Sequence, residues 1–189
     1  MTSVTIIGTG TQARALAGLA EEAGATVQTL GAAGIEDIAG EIVVLAVPYP
    51  ERSAVVEAYR AQLAGRIVLD VAEPRDPRTH ELLLTNGSSG AELLAQQLPE
   101  SKVVKAFSTT PAEALVATSV SERINTVLVV GDDKLAKQRV MRLAEVVGVE
   151  VVDDGPLERA RELEHEGFLE RTLEVAVDVE RELGGGLIP

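Results

Sequence analysis

Residues 4–17 read VTIIGTGTQARALA, an apolar β-type run, a glycine turn and a helical stretch in direct succession. A chain that leaves a buried strand through Gly8-Thr9-Gly10-Thr11-Gln12-Ala13 and enters a helix at once has few folds open to it. Gly8 permits the tight turn. Gly10 leaves no side chain between the backbone and a pyrophosphate, and Ala13 is small enough for close helix–strand packing. The helix start offers free N–H groups and the positive end of its dipole to phosphate. A bare G-x-G-x-x-A is a weak signal. In strand–turn–helix context it reads as a dinucleotide-binding loop ahead of an ordinary glycine turn.

The remainder of the chain alternates in the same way. Strands are expected over 4–8, 26–30, 42–47, 66–71, 103–107, 125–131 and 149–152. Helices are expected over 11–23, 50–63, 89–98, 111–116 and 133–147, with a long one over 156–183. Ser89 and Glu92 have the spacing of a capping box. Apolar residues make up 46% of the 189, yet only 2% are aromatic, so the core must be Val, Leu, Ile and Ala. That suits a buried parallel sheet covered by helices. The order predicts an α/β fold: a doubly wound, mainly parallel Rossmann sheet over 1–155 with a C-terminal helical appendage over 156–189. Ligands of such sheets bind beyond the carboxyl ends of the strands. The residues to watch are therefore 9–13, 31–34, 48–51, 72–75, 108–111 and Asp132.

Composition narrows the chemistry. The chain has no cysteine, which excludes disulfides, thiolate nucleophiles and cysteine–metal sites. Its two histidines, His80 and His165, have no metal-ligand spacing, and Asp132-Asp133 at a helix start read as an N-cap, so no metal site is expected. A net charge of −13 argues against nucleic acid and anionic membranes as partners. With no signal peptide or long apolar span in the sequence, a cytoplasmic location is expected.

The segments GTGTQARALA, LAVPYP, SSGAELLAQQLPESKVVKAFSTTPAEAL, VVGDD and DDGPLERARELE occur in that order. Together they resemble the NADPH-dependent coenzyme F-420 reductase family and its dinucleotide-binding relatives. VVKAFSTTP and the later Gly155-Pro156-Leu157 are more specific than the glycine loop. The resemblance implies a Rossmann domain with a small C-terminal part, a homodimer, and hydride transfer between NADP(H) and coenzyme F-420 or a flavin-like acceptor. It implies cofactor binding by Gly8, Thr9, Gly10, Thr11, Gln12, Ala13 and Arg14, with Ala46, Val47, Pro48 and Tyr49. Substrate contacts are expected at Ser108, Thr109 and Thr110, whose hydroxyls either donate to a ring carbonyl or cap the helix that begins near Pro111, at Pro111 itself, and at Gly155, Pro156 and Leu157. Ser108 stands where the family usually has Asn.

Hydride transfer between two rings needs no obligatory acid, base or nucleophile, so no catalytic side chain is expected. The protein must align two carbons and keep water out. What the chain lacks is an adenosine clamp. After the second strand it reads Leu30-Gly31-Ala32-Ala33-Gly34, without an acid for a ribose hydroxyl or a basic residue for a 2′-phosphate. The resemblance implies NADP(H), and the missing clamp leaves NAD(H) open. Arg14 is either the substitute cation or a solvated helix-surface residue. Two alternatives stand beside the reductase reading. One is an imine reductase such as pyrroline-carboxylate reductase, which needs a larger helical domain after the sheet. The other is a non-catalytic dinucleotide-binding or sensing protein.

Overall fold

The computed structural model describes residues 2–32, 36–76, 78–79, 81–84, 87–108 and 126–165. The expected helix over 111–116, the continuation of the terminal helix beyond 165, and His80 lie outside the described residues. In chain order the elements are β1 (Ser3–Ile7), α1 (Thr11–Glu22), β2 (Thr26–Leu30), β3 (Ile42–Leu45), α2 (Tyr49–Leu63) and β4 (Ile67–Asp70). They continue with α3 (Gly90–Gln97), β5 (Lys102–Lys105), β6 (Val127–Gly131), α4 (Lys134–Glu145) and β7 (Val151–Asp153). A 3-10 turn (Leu157–Arg159) then leads into α5 (Ala160–His165).

The strands form one seven-stranded sheet in the order β2-β1-β3-β4-β5-β6-β7. Period-two alternation divides it into two faces. Val4, Ile6, Val44, Leu69, Val104 and Val129 point toward α1 and α4, where Leu16, Leu19, Val140 and Leu143 cover them. Ile7, Val43, Leu45, Val68, Val103 and Val130 point the other way, under Val55, Val56, Tyr59, Leu94, Leu157 and Leu163. Ser89 caps α3 through the expected reciprocal box, and Asp133 caps α4 by accepting from the Ala136 N–H at 2.8 Å.

The sheet departs from the expected sense at β6. Strands β1 to β5 are mutually parallel, but β6 pairs antiparallel with β5 (Val104 opposite Gly131, Lys105 opposite Val130), and β7 then runs parallel to β6. The carboxyl ends of β6 and β7 therefore lie at the other rim from those of β1 to β5. Asp132 is consequently not beside the ligand-binding rim, as the alternation alone would place it. Its carboxylate instead accepts from the Leu157 N–H at 2.9 Å.

Candidate functional site

The site lies where the chain changes direction across the sheet. From β1 it winds outward to β2, then returns past β1 to β3, which opens a crevice between the carboxyl ends of β1 and β3. Gly8 is the hinge of this crevice. Its N–H donates to the Leu30 carbonyl at 2.8 Å, and its φ is +134°. A Cβ there would lie 2.1 Å from the Ala46 carbonyl oxygen, so only glycine lets the two loops approach this closely. Gly10 differs: a Cβ on it would meet nothing within 4 Å. It is the N-cap of α1, and no side chain caps that end. The loop thus offers a glycine facing open space and an uncapped helix N-terminus. That is the arrangement a pyrophosphate needs.

A cleft of about 380 Å³ sits over this loop, walled by Gly10–Ala13, Ala46–Tyr49, Val71–Glu73, Arg75, Asp76 and Ser108. Of the residues singled out from sequence, Gly10, Thr11, Gln12, Ala13, Ala46, Val47, Pro48, Tyr49 and Ser108 meet here, with Gly8 beneath them. Gln12 spans the cleft floor by donating its side-chain N–H to the Phe107 carbonyl at 2.9 Å. Phe107 is buried and takes a φ of +59°, so the chain turns sharply there and β5 ends two residues sooner than its apolar run suggests. Arg14 is exposed and folds back on the loop, donating to the Thr9 carbonyl at 2.8 Å and to Thr11 Oγ1 at 3.4 Å. Thr109, Thr110 and Pro111 lie outside the described residues.

Gly155, Pro156 and Leu157 do not join this cleft. They follow β7 at the opposite rim, where the Gly155 carbonyl accepts from the Gly131 N–H and from Lys137 Nζ. The reversed sense of β6 and β7 is the reason. The larger depression at that rim, about 700 Å³, holds Arg66, Lys102 and Arg139. Arg142 also lines it, and the other three cations are already engaged. Arg66 donates to three backbone carbonyls, Lys102 pairs with Asp133, and Arg139 pairs with Glu41.

Beneath the cleft lies a feature that sequence reasoning missed: four buried charges from four elements. Arg52 of α2 pairs with Asp70 of β4 at 2.8 Å. Lys105 of β5 stands 3.6 Å from Asp70 and 2.9 Å from Glu164 of α5. Lys105 also donates to the Ala72 carbonyl at 2.8 Å, in the cleft wall. Glu164 accepts from the Gly90 and Ala91 N–H groups, so it closes the N-terminus of α3 together with Ser89. Two positive and two negative charges balance, and each carries several hydrogen bonds. That is the condition under which buried ions are tolerated. The hint was available. Asp70 and Lys105 interrupt apolar runs on the face of Val68 and Val103, and Arg52 precedes the buried Val55 by one helical turn.

Tyr49 connects this layer to the cleft. The Arg52 guanidinium lies 4.5 Å from its ring centroid, and its edge packs on Gly90. Burial pushes the phenol's pKa above its usual value. Arg52 and Lys105 oppose that shift, while Glu164 and Asp70 reinforce it. The phenol is therefore uncharged at neutral pH.

No family model matches the chain. It is 32% identical over 135 residues to the F420-dependent NADP reductase of Methanocaldococcus jannaschii, covering 66% of this chain and 58% of that protein. It is 40% identical over 103 residues to the metalloreductase STEAP3 of Rattus norvegicus, 54% of this chain and 20% of that one. The chain thus spans less than two thirds of the length of either relative. A crystal structure of an Arthrobacter sp. FB24 protein, provisionally assigned as an F420-dependent NADP reductase, superposes with a TM-score of 0.77. The two share 26% identity over 97% of this chain and 96% of that one. The chain resembles the F420-dependent NADP reductases, in sequence and in its Rossmann-type α/β fold.

Proposed function

We propose that this protein is an NADP(H)-dependent oxidoreductase that moves a hydride between the nicotinamide and coenzyme F-420 or a flavin-like acceptor. The observation that carries the reading is the pairing of an open Gly10 and uncapped α1 with a cleft bounded by Pro48, Ala72 and Ser108. The nicotinamide supplies the hydride when it is bound. The chain's own work is placement. Gly10 and the first turn of α1 hold the pyrophosphate. Ala46, Val47 and Pro48 give one ring a flat apolar wall. Ser108, whose hydroxyl has no hydrogen bond among the described residues, can receive a polar edge of the second ring. Small and apolar walls suit a reaction whose main requirement is alignment and dryness.

The missing clamp at Gly31 and Ala32 favours one alternative, a dinucleotide-binding protein without turnover. Titration with NADPH and NADH, followed by F-420 and FMN as acceptors, separates the two. Oxidation of NADPH by either acceptor supports the reductase, and tight binding with no oxidation supports the sensor. A homodimer, held in part by the acidic amphipathic segment over 156–183, belongs to the same proposal, and light scattering at micromolar concentration tests it. Among the described residues no helix is long and apolar enough to cross a membrane. The proposed cytoplasmic setting is compatible with that.

A further inference from the structure

We propose that Tyr49 is the hydrogen-bond donor to the second substrate, its phenol set in place by Arg52 and directed at the heteroatom on which charge develops as the hydride arrives. The inference rests on the reductase reading above and adds a second polar contact to the one assigned to Ser108. Tyr49 lines the cleft beside Pro48 and Ala72, half-buried. Its ring is held twice, by the Arg52 guanidinium at 4.5 Å and by van der Waals contact with Gly90, where no side chain would fit. Its hydroxyl has no hydrogen bond among the described residues. A fixed ring whose hydroxyl meets no acceptor among the described residues is a donor placed in the cleft and open to a ligand. Arg52 is a positioning residue here: Asp70 and the Gly90 carbonyl fix its guanidinium, and so the plate on which the phenol rests.

The chemistry has a place for such a donor. A hydride leaving the nicotinamide carbon oxidises that ring and reduces a carbon of the acceptor. The electron pair displaced onto the acceptor's conjugated nitrogen or oxygen then takes a proton from water. The phenol keeps its own proton throughout, as its raised pKa favours, and stabilises the charge before that proton arrives. The acceptor is therefore expected to be a conjugated heterocycle or imine with a hydrogen-bond-accepting heteroatom, rather than a bare metal ion.

Tyr49→Phe keeps the ring, the Arg52 contact and the Gly90 packing, and removes only the hydroxyl. NADPH is titrated by its own fluorescence, F-420 by its fluorescence and FMN by its quenching, and turnover is measured with both acceptors. The expected result is an unchanged NADPH Kd, at least about 5-fold weaker acceptor binding, and a loss in kcat of about 10- to 100-fold. Equal acceptor binding and turnover in the two proteins overturns the proposal. So does a parallel loss of NADPH affinity, which would assign the hydroxyl to the cofactor or to the fold. A wild-type protein that binds NADPH but neither binds nor reduces F-420 or FMN also overturns it, while leaving the dinucleotide site intact. A wild-type protein that fails to bind NADPH removes the underlying reading instead.

Discussion

Gln12 and Phe107 are 95 residues apart and joined by a 2.9 Å hydrogen bond from the glutamine side chain to the phenylalanine carbonyl. The bond ties the first turn of α1 to the segment that follows β5. It holds Phe107 at a positive φ that L residues rarely adopt, and Ser108 follows at once in the cleft wall. Gln12→Leu removes the donor and keeps the bulk. The part-buried carbonyl then lacks its partner, at about 1 kcal/mol, or roughly 2–4 °C in Tm. Thermal melting measures that change. An acceptor affinity that falls while NADPH affinity holds would show that the bond acts through Ser108.

The two glycines of the loop should fail in opposite ways. Gly8→Ala forces a methyl group onto the Ala46 carbonyl at a φ unsuited to alanine, so the expected outcome is loss of folding, seen as low solubility or a collapsed melt. Gly10→Val has open space and should fold. It places a branched side chain where the proposed pyrophosphate would lie, and NADPH affinity should drop at least ~100-fold. A folded Gly10→Val protein with undiminished affinity moves the cofactor elsewhere.

Arg14 bears on cofactor choice. Its guanidinium already rests on the glycine loop, bound to the Thr9 carbonyl and exposed to solvent. A partly exposed contact with a 2′-phosphate is worth about 1–2 kcal/mol, so NADPH should bind roughly 5- to 30-fold better than NADH. Arg14→Ala should remove most of that margin and leave NADH unchanged. Equal weakening of both cofactors would place Arg14 on the pyrophosphate. No change in either would make it a surface residue.

The buried charges make a stability prediction. Lys105→Met leaves Asp70 and Glu164 inside the protein with their shared cation gone. A loss of about 3–5 kcal/mol is expected in urea unfolding, because the remaining charges keep their desolvation cost.

Asp133 gives a pH signature. Its hydrogen bond from the Ala136 N–H, aided by Lys102, holds its pKa below the usual aspartate value. A lowered folded-state pKa means that its stabilisation is complete above the unfolded value and disappears as pH falls through the folded one. Asp133→Asn keeps a cap and removes the titration. Its Tm should therefore decline less steeply than the wild type's between about pH 5 and pH 2.

Local patterns were readable from the residues because each depends on neighbours in the chain. The glycine loop, the Ser89 box and the Asp133 cap are of this kind, and α1, β2 and α3 form within a residue or two of where periodicity places them. The direction of β6 is not encoded that way. Apolar runs separated by a connecting segment look alike whether the chain crosses over or turns back. Asp132 is therefore placed at the wrong rim by alternation alone. The charge layer was half legible. Lys105 and Asp70 stand out in their apolar strands, but Glu164 is one of several acids in ERARELEHE. Only the packing of α5 against α3 singles it out.

The position of Glu164 bears on how this protein is made as well as how it works. Lys105 and Arg52 leave the ribosome long before their final counter-charge does, and the α3 end waits for the same residue. Without position 164, Arg52 and Lys105 would face Asp70 alone, an excess of one positive charge beneath the cleft. The charge balance of this layer is therefore completed by one acid, some eleven residues beyond the final strand.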